Sequence, residues 1–194
     1  MFALWSGFEH GIALTVIQLW RKAMSIEHIR TSVESAIGFL TENPEFGRMT
    51  DSVAVAKLEK GLKVSITGDK GESATTDMPE SIGGTASATS PGWYMRAALA
   101  ACDTTMIAVK AAMENVELTE LEVSIVSDSD VCGLFGIDGS TTAGPLEIRT
   151  NVRIGAKNAS EEKLNEIVKW AETHSPVANA LCKPLPLKTM VEIV

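Results

Sequence analysis

The segment Pro91–Asn115 constrains this chain more than any other. It holds no glycine after Gly92, no proline after Pro91, and is rich in alanine and methionine. Ser90 is placed to cap a helix, and Pro91 stands at the first helical position, where its missing N–H is not needed. Leu99–Ala101, Met106–Val109 and Ala111–Met113 put apolar side chains on most sides of that helix. The spacing therefore predicts a long, buried central helix. Such a helix needs a layer to pack on. With 194 residues, 45% hydrophobic and 22% charged, the chain has the composition of a globular protein able to supply one.

The layer is readable on either side. Ser52–Leu58 and Leu62–Thr67 alternate in polarity around the Lys60-Gly61 turn signal, which predicts an antiparallel hairpin. Gly68–Thr89 is turn-rich and reads as a loop with room for one strand. Leu118–Asp128 and Leu146–Ile154 read as strands, joined by an irregular stretch carrying Gly133, Gly136, Gly139, Gly144 and Pro145. A helix over about 25–43 opens at Ser25 and is stopped by Asn43-Pro44. Ser160–Lys163 opens a later helix to about Thr173, Ser175-Pro176 starts a short one to about Leu181, and Pro184–Val194 reads as a β-like tail. Helices and strands in separate blocks predict an α+β fold with antiparallel sheets, and residues 24–194 are expected to form one domain.

The formal charge of −8 opposes a nucleic-acid partner and electrostatic docking on an anionic membrane, so neither partner is expected. The run Gly11–Trp20 is too short to span a bilayer, and residues 1–23 are expected to be an N-terminal extension ahead of Met24. Three cysteines, Cys102, Cys132 and Cys182, make no disulfide framework and point to the cytoplasm. His10, His28 and His174 lack zinc-ligand spacing, and neither a metal nor another cofactor is expected. Gly133–Gly139 lacks the Lys-Ser/Thr ending of a phosphate loop.

Cys102 is the one cysteine in a suggestive setting. At helical spacing it shares a face with Met95, Ala98, Leu99, Thr105, Met106 and Val109. The plainer reading is a small packed side chain, since free cysteines are often buried and an apolar wall disfavours the thiolate. Ser90-Pro91-Gly92-Trp93-Tyr94-Met95-Arg96-Ala97-Ala98-Leu99-Ala100-Ala101-Cys102 resembles the cysteine-bearing helix of the OsmC/Ohr family, the osmotically induced and organic-hydroperoxide-resistance superfamily. His174-Ser175-Pro176-Val177 falls where that family has a Cys-Pro pair opening a second helix. The resemblance covers about three quarters of the chain.

It implies an OsmC-like α+β fold, with antiparallel sheets packed on long central helices in an intertwined homodimer. It also implies hydroperoxide reduction, in which one thiolate attacks the peroxide and a second cysteine resolves the sulfenic acid. By resemblance Cys102 takes the peroxidatic position. Ser175 takes the resolving position, which it cannot fill; an ordinary helix N-cap is its expected role. Gly92 stands where the family has a glutamate, and no arginine occurs between Ser52 and Lys63, where the family has one. His174 is a second candidate, able to approach Cys102 from the start of the second helix. Two functions follow. One is a thiol-dependent reductase of a small hydroperoxide, using Cys102 and an external thiol reductant. The other is a non-catalytic protein holding a small hydrophobic ligand in the dimer pocket.

Overall fold

The computed structural model of the chain describes residues 25–137 and 139–194. The expected N-terminal extension, residues 1–23, lies outside them. The described elements are α1 (Ile26–Glu42), β1 (Ala54–Lys60), β2 (Lys63–Gly68), β3 (Ser73–Thr76), α2 (Pro91–Met113), β4 (Leu118–Ser129), α3 (Val131–Phe135), β5 (Pro145–Ala156), α4 (Glu161–His174) and α5 (Pro176–Cys182). The fold is α+β with two antiparallel sheets, one ordered β1-β2-β3 and one pairing β4 with β5. No described helix is long and apolar enough to cross a membrane.

The chain divides into two compact units. The first takes in residues 25–47, Thr105–Leu121 and Ile154–Ala171. Its core is Ile107, Ala111, Ala112, Val116, Ile167 and Ala171. Helix α1 starts where Ser25 Oγ accepts the His28 N–H at 3.1 Å. The last turn of α2 closes at Asn115, whose φ of 56° lies in the left-handed region, and the Val116 N–H returns to the Ala111 carbonyl at 2.8 Å. Glu114 pairs with Lys110 at 2.7 Å and with Lys163, and the Lys110 ammonium sits 5.1 Å from the Trp170 ring centre.

The second unit takes in Arg48–Thr104, Glu122–Arg153 and Glu172–Val194. Strands β1 and β2 meet as the sequence alternation requires, with Val55 opposite Thr67 and Leu58 opposite Val64, and the turn carries Gly61 at φ 62°. Strand β3 lies within the turn-rich stretch and pairs antiparallel with β2. The Gly-rich connection between β4 and β5, expected to be irregular, holds a short helix, α3, capped by Asp130.

One expectation is met in part and one is corrected. Helix α2 has the expected span, and among the described residues one stripe of it is buried: Leu99, Asp103, Ile107 and Ala111, four residues apart, with Ala112 beside them. Its remaining alanines and methionines face no layer that buries them here. The β-like tail forms no strand. Residues 184–194 have no regular structure and are exposed throughout, because Pro184 and Pro186 remove two donors and no described strand lies against the rest.

Candidate functional site

The start of α2 is set by the loop before it. Asp77 is 1% exposed, and its carboxylate accepts five hydrogen bonds. Oδ1 takes the Met78 N–H at 2.8 Å; Oδ2 takes the Thr85 hydroxyl at 2.6 Å, the Ser87 hydroxyl at 2.9 Å, and the N–H groups of Ser87 and Thr85 at 3.0 and 3.1 Å. The Thr85 hydroxyl, followed by the Ser87 N–H, holds this carboxyl far below the usual carboxylate range, against the opposing effect of burial. The loop is so tight that a Cβ on Gly84 would lie 1.8 Å from the Met78 carbonyl oxygen. The Asp77 N–H reaches the Thr89 carbonyl at 3.1 Å, and Ser90 then receives the Trp93 N–H. Thus the loop delivers the chain to the first turn of α2.

Cys102 lies three turns further on, half-buried and unbridged. Its Sγ is 3.2 Å from the Oγ of Ser175, a residue 73 positions away in sequence. Ser175 is 0% exposed and caps α5, its Oγ accepting the Ala178 N–H at 3.2 Å. The Ser175 carbonyl takes both the backbone N–H and the side-chain amide of Asn179, each at 3.0 Å. Ser175 is therefore held from three directions, with its hydroxyl beside the sulfur. Among the described residues it is the hydrogen-bond partner of Cys102 Sγ.

His174 is exposed, and its Nδ1 lies 2.9 Å from Thr173 Oγ1; no described hydrogen bond joins it to Cys102. Cys182, at the far end of α5, is exposed. Seven residues of helix put it about 10 Å along the axis from Ser175, beyond the reach of a disulfide to a sulfur beside that residue. Cys132 is also exposed, and neighbouring Asp130 pushes its thiol pKa up, which depletes the thiolate. A Cβ on Gly92 would stand at ordinary contact distance from Arg96 Nη1, 3.9 Å, and from Ser90 Oγ, 4.0 Å. Arg96 donates from Nη1 to the Ser127 hydroxyl at 3.2 Å.

Sequence reasoning missed Asp77 and Asp103. Asp103 follows Cys102 in α2 and is 7% exposed, with an Oδ1 that has no hydrogen-bond partner among the described residues. Its spacing of four from Leu99 and Ile107 placed it on the apolar stripe, the one available signal that it is enclosed. Among the described residues, no group of three His, Cys, Asp or Glu side chains comes together that could hold a metal ion. Two clefts, of about 210 and 320 Å³, are lined by Ser52–Ala54 with Ile66–Gly68 and by α1 with Ala108–Ala112; neither includes Cys102 or Ser175.

The family model described as OsmC-like protein matches residues 84–190, more than half of the chain. The chain belongs to the OsmC-like family. The matched stretch of this OsmC-like protein runs from the Asp77 loop through α2 and α5, so it contains both Cys102 and Ser175. An OsmC-like protein from Mycoplasma pneumoniae superposes with a TM-score of 0.59 at 19% identity, over 70% of this chain and 89% of that one. An OsmC-like protein of unknown function from Vibrio cholerae gives 0.57 at 11%, over 68% and 94%. A protein from Legionella pneumophila described as an organic hydroperoxide resistance protein gives 0.52 at 17%, over 69% and 90%. At these identities the likeness is one of fold. No curated protein matches the chain.

Proposed function

We propose that this protein is a thiol-dependent hydroperoxide reductase that works through Cys102 with an external thiol as reductant. The observation that carries the reading is the Ser175 hydroxyl, 3.2 Å from a half-buried sulfur at the family's peroxidatic position. The name of the Legionella relative supports the substrate class. In the first step the Cys102 thiolate attacks the terminal oxygen of ROOH. The S–O bond forms, the O–O bond breaks, and the alkoxide leaves and takes a proton to become ROH. Cys102 is then a sulfenic acid, oxidised by two electrons as the peroxide is reduced by two. Cys182 is too far along α5 to resolve it, and Asp130 raises the pKa of the exposed Cys132 thiol, which counts against it; the reducing sulfur in this proposal comes from outside the chain.

The working unit in this proposal is a cytoplasmic homodimer. Every residue of β1 is exposed, Val55 and Leu58 included, and α2 buries a single stripe; a second copy would cover such surfaces. The test is conversion of cumene hydroperoxide to its alcohol in the presence of a thiol. Catalytic turnover supports the reading, and a rate equal to that of the thiol alone would sink it.

A second reading, a non-catalytic holder of a small hydrophobic ligand, draws on the wall of Met95, Leu99, Met106 and Val109 around Cys102 and on the missing glutamate at Gly92. In that case the protein would bind apolar ligands with no change at the sulfur.

A further inference from the structure

Ser175 is fully buried, and its hydroxyl is committed on one side, where it accepts the Ala178 N–H. A serine hydroxyl carries one proton, and the group within reach of that proton is Cys102 Sγ at 3.2 Å. A thiolate can only accept. The hydrogen bond therefore becomes charge-assisted when Cys102 ionises, and charge-assisted bonds are about twice as strong as neutral ones. Fixation of Ser175 by Asn179 and the Ala178 N–H means the donor is already in place before the charge appears.

We propose that Ser175 is a catalytic residue: its hydroxyl donates a hydrogen bond to the Cys102 thiolate, and its oxygen, unable to resolve the sulfenic acid, leaves that step to the external thiol. The proposal rests on the peroxidase reading. Its second half-reaction balances as follows. One R′SH attacks the Cys102 sulfenic sulfur, the S–O bond breaks, a Cys102–S–S–R′ mixed disulfide forms, and water leaves. A second R′SH attacks the R′ sulfur, releasing R′S–SR′ and the Cys102 thiol, so two thiols supply the two electrons taken up by the peroxide.

The test uses the full chain as wild type, Ser175→Ala and Ser175→Cys. The first measurement involves no peroxide: iodoacetamide alkylation of Cys102 against pH, followed by mass spectrometry of its peptide. Ser175→Ala is expected to slow alkylation about tenfold at neutral pH and to move the profile to higher pH, with the alkaline plateau unchanged. A loosened fold would instead expose the sulfur and speed the reaction. The second measurement treats each protein with cumene hydroperoxide and then one equivalent of glutathione, too little to release the mixed disulfide. Wild type is expected to carry a glutathione adduct on Cys102. Ser175→Cys is expected to lose two hydrogens to an internal disulfide and take up no glutathione. An unchanged alkylation profile in Ser175→Ala overturns the donor role even where peroxide oxidises Cys102. A shifted profile with no oxidation of wild-type Cys102 overturns the peroxidase reading, and the catalytic role with it, while the hydrogen bond stands. An oxidised Cys102 without a disulfide in Ser175→Cys overturns the placement of residue 175 against the sulfur.

Discussion

Asp77 and Cys102 are polar centres of the same unit, but the first is saturated and the second is not. Around Asp77, five donors converge on one carboxylate, and its partners all come from the ten residues that follow it. One donor meets Oδ1 and four meet Oδ2, all from the loop itself, so this charge holds a loop. Around Cys102 one hydroxyl, from 73 residues away, faces a half-buried sulfur. The proposed nucleophile needs open surface to meet a substrate, and a half-buried sulfur has it. The contrast separates a buried charge that serves architecture from the thiol we propose for chemistry.

Replacing the proposed reactive centre has the largest expected effect. Cys102→Ser should abolish thiol-dependent consumption of cumene hydroperoxide while circular dichroism stays unchanged. Next is the saturated centre. Asp77→Ala should give the largest fall in Tm of the variants named here, because it strands buried donors in the loop. Asp77→Asn should come close to it, since the amide turns an NH2 group toward donors. Below the melting transition both should keep their Cys102 reactivity, and a loss of peroxide reduction without a loss of Tm would erase the distinction between the two centres.

Gly84→Ala should cost about 1–3 kcal/mol in chemical denaturation, because the new methyl meets the Met78 carbonyl and the loop must shift. The pH dependence sharpens the same point. The folded Asp77 pKa is depressed below its ordinary value of 3.8, so its contribution to stability is fully present above that value and is lost as pH falls toward the folded value. Wild type should therefore lose stability below about pH 4. Asp77→Asn should lack that component, a difference that urea melts at stepped pH would resolve. The smallest effect belongs to the other cysteines: Cys132→Ser and Cys182→Ser should leave peroxide turnover within about twofold, well under the 1.4 kcal/mol that a tenfold change represents.

The parts of this molecule governed by local rules were legible. The β1–β2 hairpin follows from alternation around Gly61, α2 from a long glycine-free run behind Ser90-Pro91, and α5 from Ser175-Pro176. Cys102 stood out through the likeness of its helix to a family pattern. The parts that depend on distant partners were not legible. Nothing near Ser175 announces that it meets Cys102, because their contact is made by the fold. The Asp77 cage is built largely from backbone N–H groups in a loop that includes Ala86 at φ 50°, a conformation no residue pattern signalled. The apolar composition of α2 predicts a covered surface, and one stripe of it is buried among the described residues; composition does not say which molecule covers the rest.

The most direct measurement is the mass of the Cys102 peptide after one equivalent of cumene hydroperoxide, with dimedone present to trap sulfenic acid. The expected result is a dimedone adduct on Cys102 alone and, without dimedone, a gain of one oxygen with no disulfide to Cys132 or Cys182. An unmodified Cys102, or a disulfide joining it to either of those cysteines, would contradict a one-cysteine site built on Cys102 and Ser175.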